Sequence, residues 1–262
     1  MELELAEKVV VVTGGSRGIG FACACAFIEE GARVAIVARD PQRLHHAAAR
    51  LHSAGEYPPI SIAADLTRPD EARRMADEVT AQLGPVDILV NSAGAAKRYL
   101  PEDLDAQAWH AAMDAKYFTY IHAMDALVPG MTARGKGAVV NIVGMGGKVA
   151  TPIHLPGGAA NAALMLATVG LAHVHGPKGV RVNAINPGAT LGERLREALR
   201  LESQARGVSE EELLRQGTAR VPLRRYATDE DIAQVALFLA SDRAAYVTGA
   251  IVPMDGGLNP VL

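Results

Sequence analysis

Seven short, almost wholly apolar runs recur along this chain, each separated from the next by a longer, more polar stretch, and few folds accommodate that alternation. The runs at 8–13, 33–38, 59–64, 86–91, 138–143, 179–186 and 250–254 are expected to be strands. Their continuous apolar character calls for a sheet covered on both faces, as parallel sheets are. Helices are expected at 19–30, 41–54, 69–83, 105–131, 158–176 and 229–240, with Asp40-Pro41 and Arg68-Pro69 as proline-marked starts. Repeated βα units of this kind predict an α/β fold with a doubly wound, seven-stranded parallel sheet. With 262 residues and 49% hydrophobic content the chain suits one sizeable core, a single domain spanning 1–262. The rhythm breaks between 190 and 226, where a charged, helix-prone insertion at 193–220 reads as a substrate-side lid.

Charge narrows the function classes. The net charge is −3 with acidic and basic residues interspersed, which offers no footprint for nucleic acid and no polybasic arm for a membrane. The N-terminal Met1-Glu2-Leu3-Glu4-Leu5 has no basic segment ahead of an apolar one. No apolar run approaches the roughly 20 residues of a membrane span. A soluble cytoplasmic protein is therefore expected. Cys23 and Cys25 stand two apart on an expected helix, point to different sides of it, and are read as packing residues. No His or Cys cluster has metal-ligand spacing, so no metal site is expected.

The first strand runs into Thr13-Gly14-Gly15-Ser16-Arg17-Gly18-Ile19-Gly20, a glycine-rich turn that opens a helix. Glycines there let the backbone approach a pyrophosphate, and the helix N-terminus supplies N–H groups and positive dipole. Four further landmarks follow in order: Asp65-Leu66, Asn91-Ser92-Ala93-Gly94, Asn186-Pro187-Gly188 and Asp255-Gly256-Gly257. With these the chain resembles the short-chain dehydrogenase/reductase family over nearly its whole length. The resemblance implies a Rossmann-type sheet and a nicotinamide dinucleotide held by Gly14, Ser16, Arg17, Gly18, Ile19, Gly20, Asp65, Leu66, Asn91, Ala93, Gly94, Pro187, Gly188 and Thr190. In NAD-preferring members an acid ends the second strand, whereas here Ala38-Arg39 does. A guanidinium suits a 2′-phosphate, and Arg17 offers a second cation, so NADP(H) is expected over NAD(H). The neighbouring Asp40 points the other way.

The same resemblance exposes a gap in the chemistry. Family members carry an Asn-Ser-Tyr-Lys set in which the tyrosine moves a proton, the lysine lowers its pKa and holds the nicotinamide ribose, and the serine hydrogen-bonds the substrate oxygen. Counting back from Arg181-Val182-Asn183 puts the tyrosine position at Gly157 and the lysine position at Asn161; counting forward from Asn141-Ile142 puts the serine position at Gly144. The two counts agree without a gap. The asparagine position falls on Lys116, about two turns after Trp109, so asparagine and lysine have traded places. Loss of a general acid typically costs about 10²–10⁴ in rate, and loss of an oxyanion-type donor about 10²–10³.

Lys116 either extends its ammonium toward cofactor ribose or substrate, or snorkels from the surface of an amphipathic helix. His154, three residues before the vacant tyrosine position, can donate a proton near neutral pH. Lys148 and the Lys97-Arg98-Tyr99 run are further candidates for meeting an anionic group. Pro156-Gly157-Gly158 suggests room for a bulky group beside the nicotinamide. Two functions stay open: an oxidoreductase with a replaced catalytic set of Lys116, His154 and Asn161, or a dinucleotide-binding protein without dehydrogenase chemistry. The latter would bind a ligand or use Lys116 in a lyase- or isomerase-type reaction. The family also implies a homo-oligomer, tetramer or dimer, and the Ala-, Leu- and Met-rich stretch 161–175 fits a helix buried on two sides.

Overall fold

A computed structural model describes residues 2–94 and 97–260. The strands β1 (Val9–Thr13), β2 (Arg33–Ala38), β3 (Ile60–Ala63), β4 (Ile88–Asn91), β5 (Gly137–Ile142), β6 (Val180–Pro187) and β7 (Ile251–Met254) form one parallel sheet in the order β3-β2-β1-β4-β5-β6-β7. Each lies within about two residues of its expected place. The order reverses between β1 and β4, which is where open α/β sheets bind ligands, outside the carboxyl ends of the strands.

Alternate side chains of each strand feed separate cores. Val10, Val12, Val34, Ile36 and Val140 face a layer containing α1 (Gly18–Glu29), α2 (Pro41–Leu51) and α9 (Asp229–Ala240). Val9, Val11, Val37, Leu89, Val139 and Val182 face α3 (Pro69–Leu83), α5 (Thr119–Arg134) and α6 (Leu155–His175). This period-2 division explains the unbroken apolar runs, because both faces of the central strands are inside, while the edge strands β3 and β7 are only partly covered. Cys23 is buried in the first layer and its thiol is pushed up to about 12 by that burial; Cys25 is half-buried and also unpaired by a disulfide.

Two expectations need correction, and a third gains detail. The helix expected over 105–131 is interrupted: α4 (Ala106–Ala112) leads into a π-helical turn, Met113–Phe118, before α5 begins. The insertion after β6, expected to be helix-prone, holds two helices, α7 (Glu193–Arg206) and α8 (Glu210–Ala219), with a left-handed Gly207 at the end of the first. Finally, against the expectation of no membrane-length apolar run, Pro152–Lys178 contains an 18-residue window long and apolar enough to cross a membrane. Half of that window is buried within the fold, where Leu164, Met165, Thr168 and Ala172 of α6 pack toward the sheet.

Candidate active site

A ladder of buried polar side chains ties the strand ends at the switch point. Thr13 Oγ1 donates to Asn91 Oδ1 (3.2 Å), Asn91 Nδ2 to Asn141 Oδ1 (3.0 Å), Asn141 Nδ2 to Thr168 Oγ1 (3.0 Å), and Thr168 Oγ1 to the Leu164 carbonyl (2.8 Å). All four side chains are buried, so each hydrogen bond removes a desolvation penalty of about 1–3 kcal/mol. Thr13 Oγ1 also accepts from the Ser92 and Ala93 amides. Asn91 therefore positions the 92–94 loop from behind, its own side chain facing inward.

The glycine turn is shaped by close approach. A Cβ on Gly14 would lie 2.8 Å from the Ala93 nitrogen, and one on Gly20 would lie 2.3 Å from the Gly14 carbonyl oxygen. Beyond the turn, no side chain caps α1, its N-cap being the extended Arg17, and no acid stands in its first turn. Two of the neighbouring helices are capped: Asp40 accepts from the Gln42 and Arg43 amides at α2, and Thr228 and Asp231 form a capping box at α9. An uncapped helix start behind a glycine turn at the switch point is the arrangement a pyrophosphate requires.

The remaining cofactor-side residues fall into two groups. Ser16, Gly18 and Ile19 are at least partly exposed on the turn, and Arg39 is exposed at the end of β2. Arg17 pairs with Glu193 of α7 at 2.8 Å, linking the turn to the insertion. Others are engaged within the fold. Asp65 Oδ1 accepts from the Thr67 amide and hydroxyl, and Leu66 is buried with its carbonyl held 2.9 Å from His122 Nδ1. Pro187 is buried, the Gly188 amide donates to the Met254 carbonyl, and Thr190 bridges to Ala227.

Around the vacant positions the structure brings Gly144, Gly146, His154 and Asn161 together. A Cβ on Gly144 would lie 3.1 Å from Asn161 Nδ2; one on Gly146 would lie 3.2 Å from His154 Cδ2 and 3.6 Å from Asn161 Nδ2. Gly144 has φ +137°, a region that penalises any side chain. The expected roomy floor does not form. Gly158 abuts the Gly146 carbonyl, Met165 Cε lies where a Gly147 side chain would go, and Gly157 is buried, so the 145–147 turn settles directly on α6. Lys148 is exposed on the adjoining loop, as are Lys97 and Arg98 on theirs.

Lys116 does not snorkel. Its residue is only 9% exposed, and Nζ donates to Tyr120 Oη (2.7 Å) and to the Ile142 carbonyl (2.8 Å), while Tyr120 Oη donates to the same carbonyl (2.6 Å). The ammonium also lies 4.5 Å from the Tyr120 ring centroid. This closed triangle sits at the end of β5, two residues before Gly144. The π turn widens the helix at Lys116, a common device at functional sites. Gly94 allows that approach, since a Cβ there would lie 2.6 Å from the Ala115 carbonyl and 3.0 Å from Lys116 Cδ. Tyr120 escaped the sequence reading; its signal is the Lys-x-x-x-Tyr spacing that puts both residues on one helix face. Among the described residues no group of three or more His, Cys, Asp or Glu side chains is placed to hold a metal.

Known proteins agree with this architecture. The family model described as enoyl-(acyl carrier protein) reductase matches residues 14–259. A 2-(S)-hydroxypropyl-CoM dehydrogenase of Xanthobacter autotrophicus is 33% identical over 261 residues, covering 100% of both chains. L-sorbose reductase of Gluconobacter frateurii, solved with NADPH and L-sorbose, superposes with a TM-score of 0.93 at 30% identity, again over 100% of both chains. An NADPH-bound short-chain oxidoreductase of Pseudomonas aeruginosa, described as containing an atypical catalytic centre, gives 0.89 at 31% identity over 98% of each chain. Matched end to end in sequence and superposed over the whole sheet, this chain belongs to the short-chain dehydrogenase/reductase family of oxidoreductases.

Proposed function

We propose that the protein is an NADP(H)-dependent oxidoreductase acting on a small carbonyl, hydroxyl or activated carbon–carbon double bond, with Lys116, His154 and Asn161 in place of the Asn-Ser-Tyr-Lys set. The observation that carries this reading is the coexistence of a whole cofactor cradle with polar side chains gathered at the Gly144 turn beside it. Gly14, Ser16, Gly18, Ile19 and Gly20 with the α1 N-terminus would hold the pyrophosphate. Asp65, Leu66, Ala93 and Gly94 would flank the adenosine side, and Pro187, Gly188 and Thr190 the nicotinamide side. When bound, the reduced dinucleotide supplies a hydride.

For a carbonyl substrate, the carbon accepts the hydride, the π pair passes to oxygen, and the oxygen takes a proton from His154 or water. Imidazole is the side chain whose ordinary titration range suits such a donor at neutral pH. Lys116 holds a positive charge fixed against the end of β5, where negative charge develops on the substrate oxygen. An activated double bond demands less of these residues, because hydride adds to carbon and water can protonate the product. The helices α7 and α8 act as the lid over the substrate, rooted at the Arg17–Glu193 pair. A screen of aldehydes, ketones, quinones and enones, followed at the absorbance of reduced nicotinamide with Lys116→Ala and His154→Ala as controls, tests the reading. Turnover that falls in either variant supports it; no turnover in any class despite NADPH binding overturns it.

The preference for NADP(H) rests on Arg39. Asp40 holds the α2 amides and lies 3.2 Å from Arg43, so its carboxylate serves the helix and Arg39 is the charged group offered at the end of β2. Two charge-assisted hydrogen bonds to a 2′-phosphate are worth about 1.5–3 kcal/mol each before desolvation and ordering costs. Arg39→Ala is expected to weaken NADPH binding by about 10–100-fold and NADH binding by less than about threefold. Equal losses for both cofactors, measured by fluorescence titration, would contradict the assignment. Arg17→Ala is expected to do less, because Glu193 shares that guanidinium.

Self-association follows from α6, whose outer face leaves Leu166, Val169 and Val174 exposed. Apolar side chains at this spacing on one long helix suit burial against a second copy. Sedimentation at micromolar concentration is expected to give a tetramer or dimer, and Leu166→Glu to weaken it; a monomer would refute the proposal.

A further inference from the structure

Gly144 cannot deliver a hydroxyl to a substrate, but the group beside it can. Asn161 rises from the second turn of α6, is only 5% exposed, and sets Nδ2 against the Gly144 and Gly146 backbone, where the serine side chain of the resembled family would reach. Its Oδ1 is buried and accepts no hydrogen bond from any described residue. An unpaired buried amide oxygen costs about 1–3 kcal/mol, and native structures rarely keep one without a purpose. Among the described residues no donor fixes this oxygen, which leaves it open to a ligand.

Resting on the oxidoreductase reading above, we infer that Asn161 is a catalytic residue that hydrogen-bonds the reacting oxygen of the substrate and so replaces the missing serine. The chemistry of the reaction asks for such a group. A carbonyl oxygen only accepts hydrogen bonds, whereas the hydroxyl it becomes both donates and accepts. A serine hydroxyl serves both forms by rotating its proton. A carboxamide does the same by turning about its last bond, Nδ2 donating to the carbonyl and Oδ1 accepting from the hydroxyl. Aspartate, with acceptors alone, and leucine, with neither, share its shape but not this ability.

The alternative role for a residue at this position is to hold the cofactor ribose, and the two separate experimentally. Asn161→Leu and Asn161→Asp are assayed with NADPH against hydroxyacetone, diacetyl and 4-nitrobenzaldehyde, alongside NADPH titration by fluorescence and thermal melting. Both variants are expected to lose about 10²–10³ in kcat/KM, mostly in kcat, with NADPH Kd within about threefold of the parent. Asn161→Gln recovers part of the loss. Wild-type kcat in either folded variant overturns the inference, as does a tenfold weaker NADPH Kd with kcat kept, which would place Asn161 on the ribose. If Asn161→Leu melts below the assay temperature, the isosteric Asn161→Asp decides alone. Absence of turnover in the parent itself would sink the oxidoreductase reading and this inference with it; turnover unaffected by the substitutions sinks this inference alone.

Discussion

Replacing Lys116 with methionine is expected to lower kcat/KM by about 10²–10³ while leaving NADPH binding within about threefold. Methionine keeps the unbranched stem that lies along the π turn beside Gly94 and removes only the ammonium. The Ile142 carbonyl stays satisfied, because Tyr120 Oη donates to it at 2.6 Å. The hydrogen bonds to Tyr120 and the Ile142 carbonyl disappear, but so does the cost of a cation in a residue only 9% exposed, and stability should change by no more than about 2 kcal/mol. The activity loss is therefore separable from unfolding. Lys116→Arg should not restore the rate, since a rigid fork cannot enter a triangle whose sides are 2.6–2.8 Å. Tyr120→Phe, which removes one acceptor of Nζ, should fall between. Steady-state kinetics with melting curves checks all three, and wild-type rates in Lys116→Met would show that the charge takes no part.

Gly20→Val is expected to abolish NADPH binding, by about 100-fold or more, and to cost roughly 3–5 kcal/mol of stability. Its Cβ would lie 2.3 Å from the Gly14 carbonyl oxygen, 2.8 Å from the Gly14 carbonyl carbon and 3.2 Å from the Gly15 nitrogen. All three are backbone atoms, so the glycine turn and the first turn of α1 would have to separate. That helix packs on β1 and against α9 with Cys23, Phe27 and Ile28 wholly or almost wholly buried, which resists the displacement. Gly18→Ala is the control. Its Cβ meets nothing nearer than Asp229 Oδ2 at 3.8 Å, and only the left-handed φ of +57° opposes it, at about 1–2 kcal/mol. Denaturant melts should rank the two variants far apart; parent-like stability and NADPH binding in Gly20→Val would mean that the turn tolerates a side chain at Gly20.

The strands were legible because burial on both faces leaves a continuous apolar run that needs no partner to be recognised. The π turn was not. Met113–Phe118 contains no glycine or proline to announce a break, and the widening accompanies contacts far away in sequence, with Gly94 and the Ile142 carbonyl. For the same reason the direction of Lys116 was undetermined: a lysine on an amphipathic helix can turn either way, and Tyr120 and the end of β5 decide it. Asp40 was ambiguous beside Arg39 until its role at the α2 cap became visible. The glycines at 144, 157 and 158 stand out in the sequence, the first two at positions where the resemblance expects catalytic side chains. That they also let a turn lie flat on α6, closing the space rather than opening it, depends on distances no spacing rule supplies.

The central claim is that hydride transfer persists without the Asn-Ser-Tyr-Lys set. The most direct measurement uses NADPH carrying deuterium at the transferring carbon, with the carbonyl and enone acceptors above, and mass spectrometry of the products. Deuterium on the former carbonyl or β-carbon, formed by the parent protein and sharply reduced in Lys116→Met, is the result expected. NADPH bound by the parent protein but deuterium absent from every product would contradict the claim.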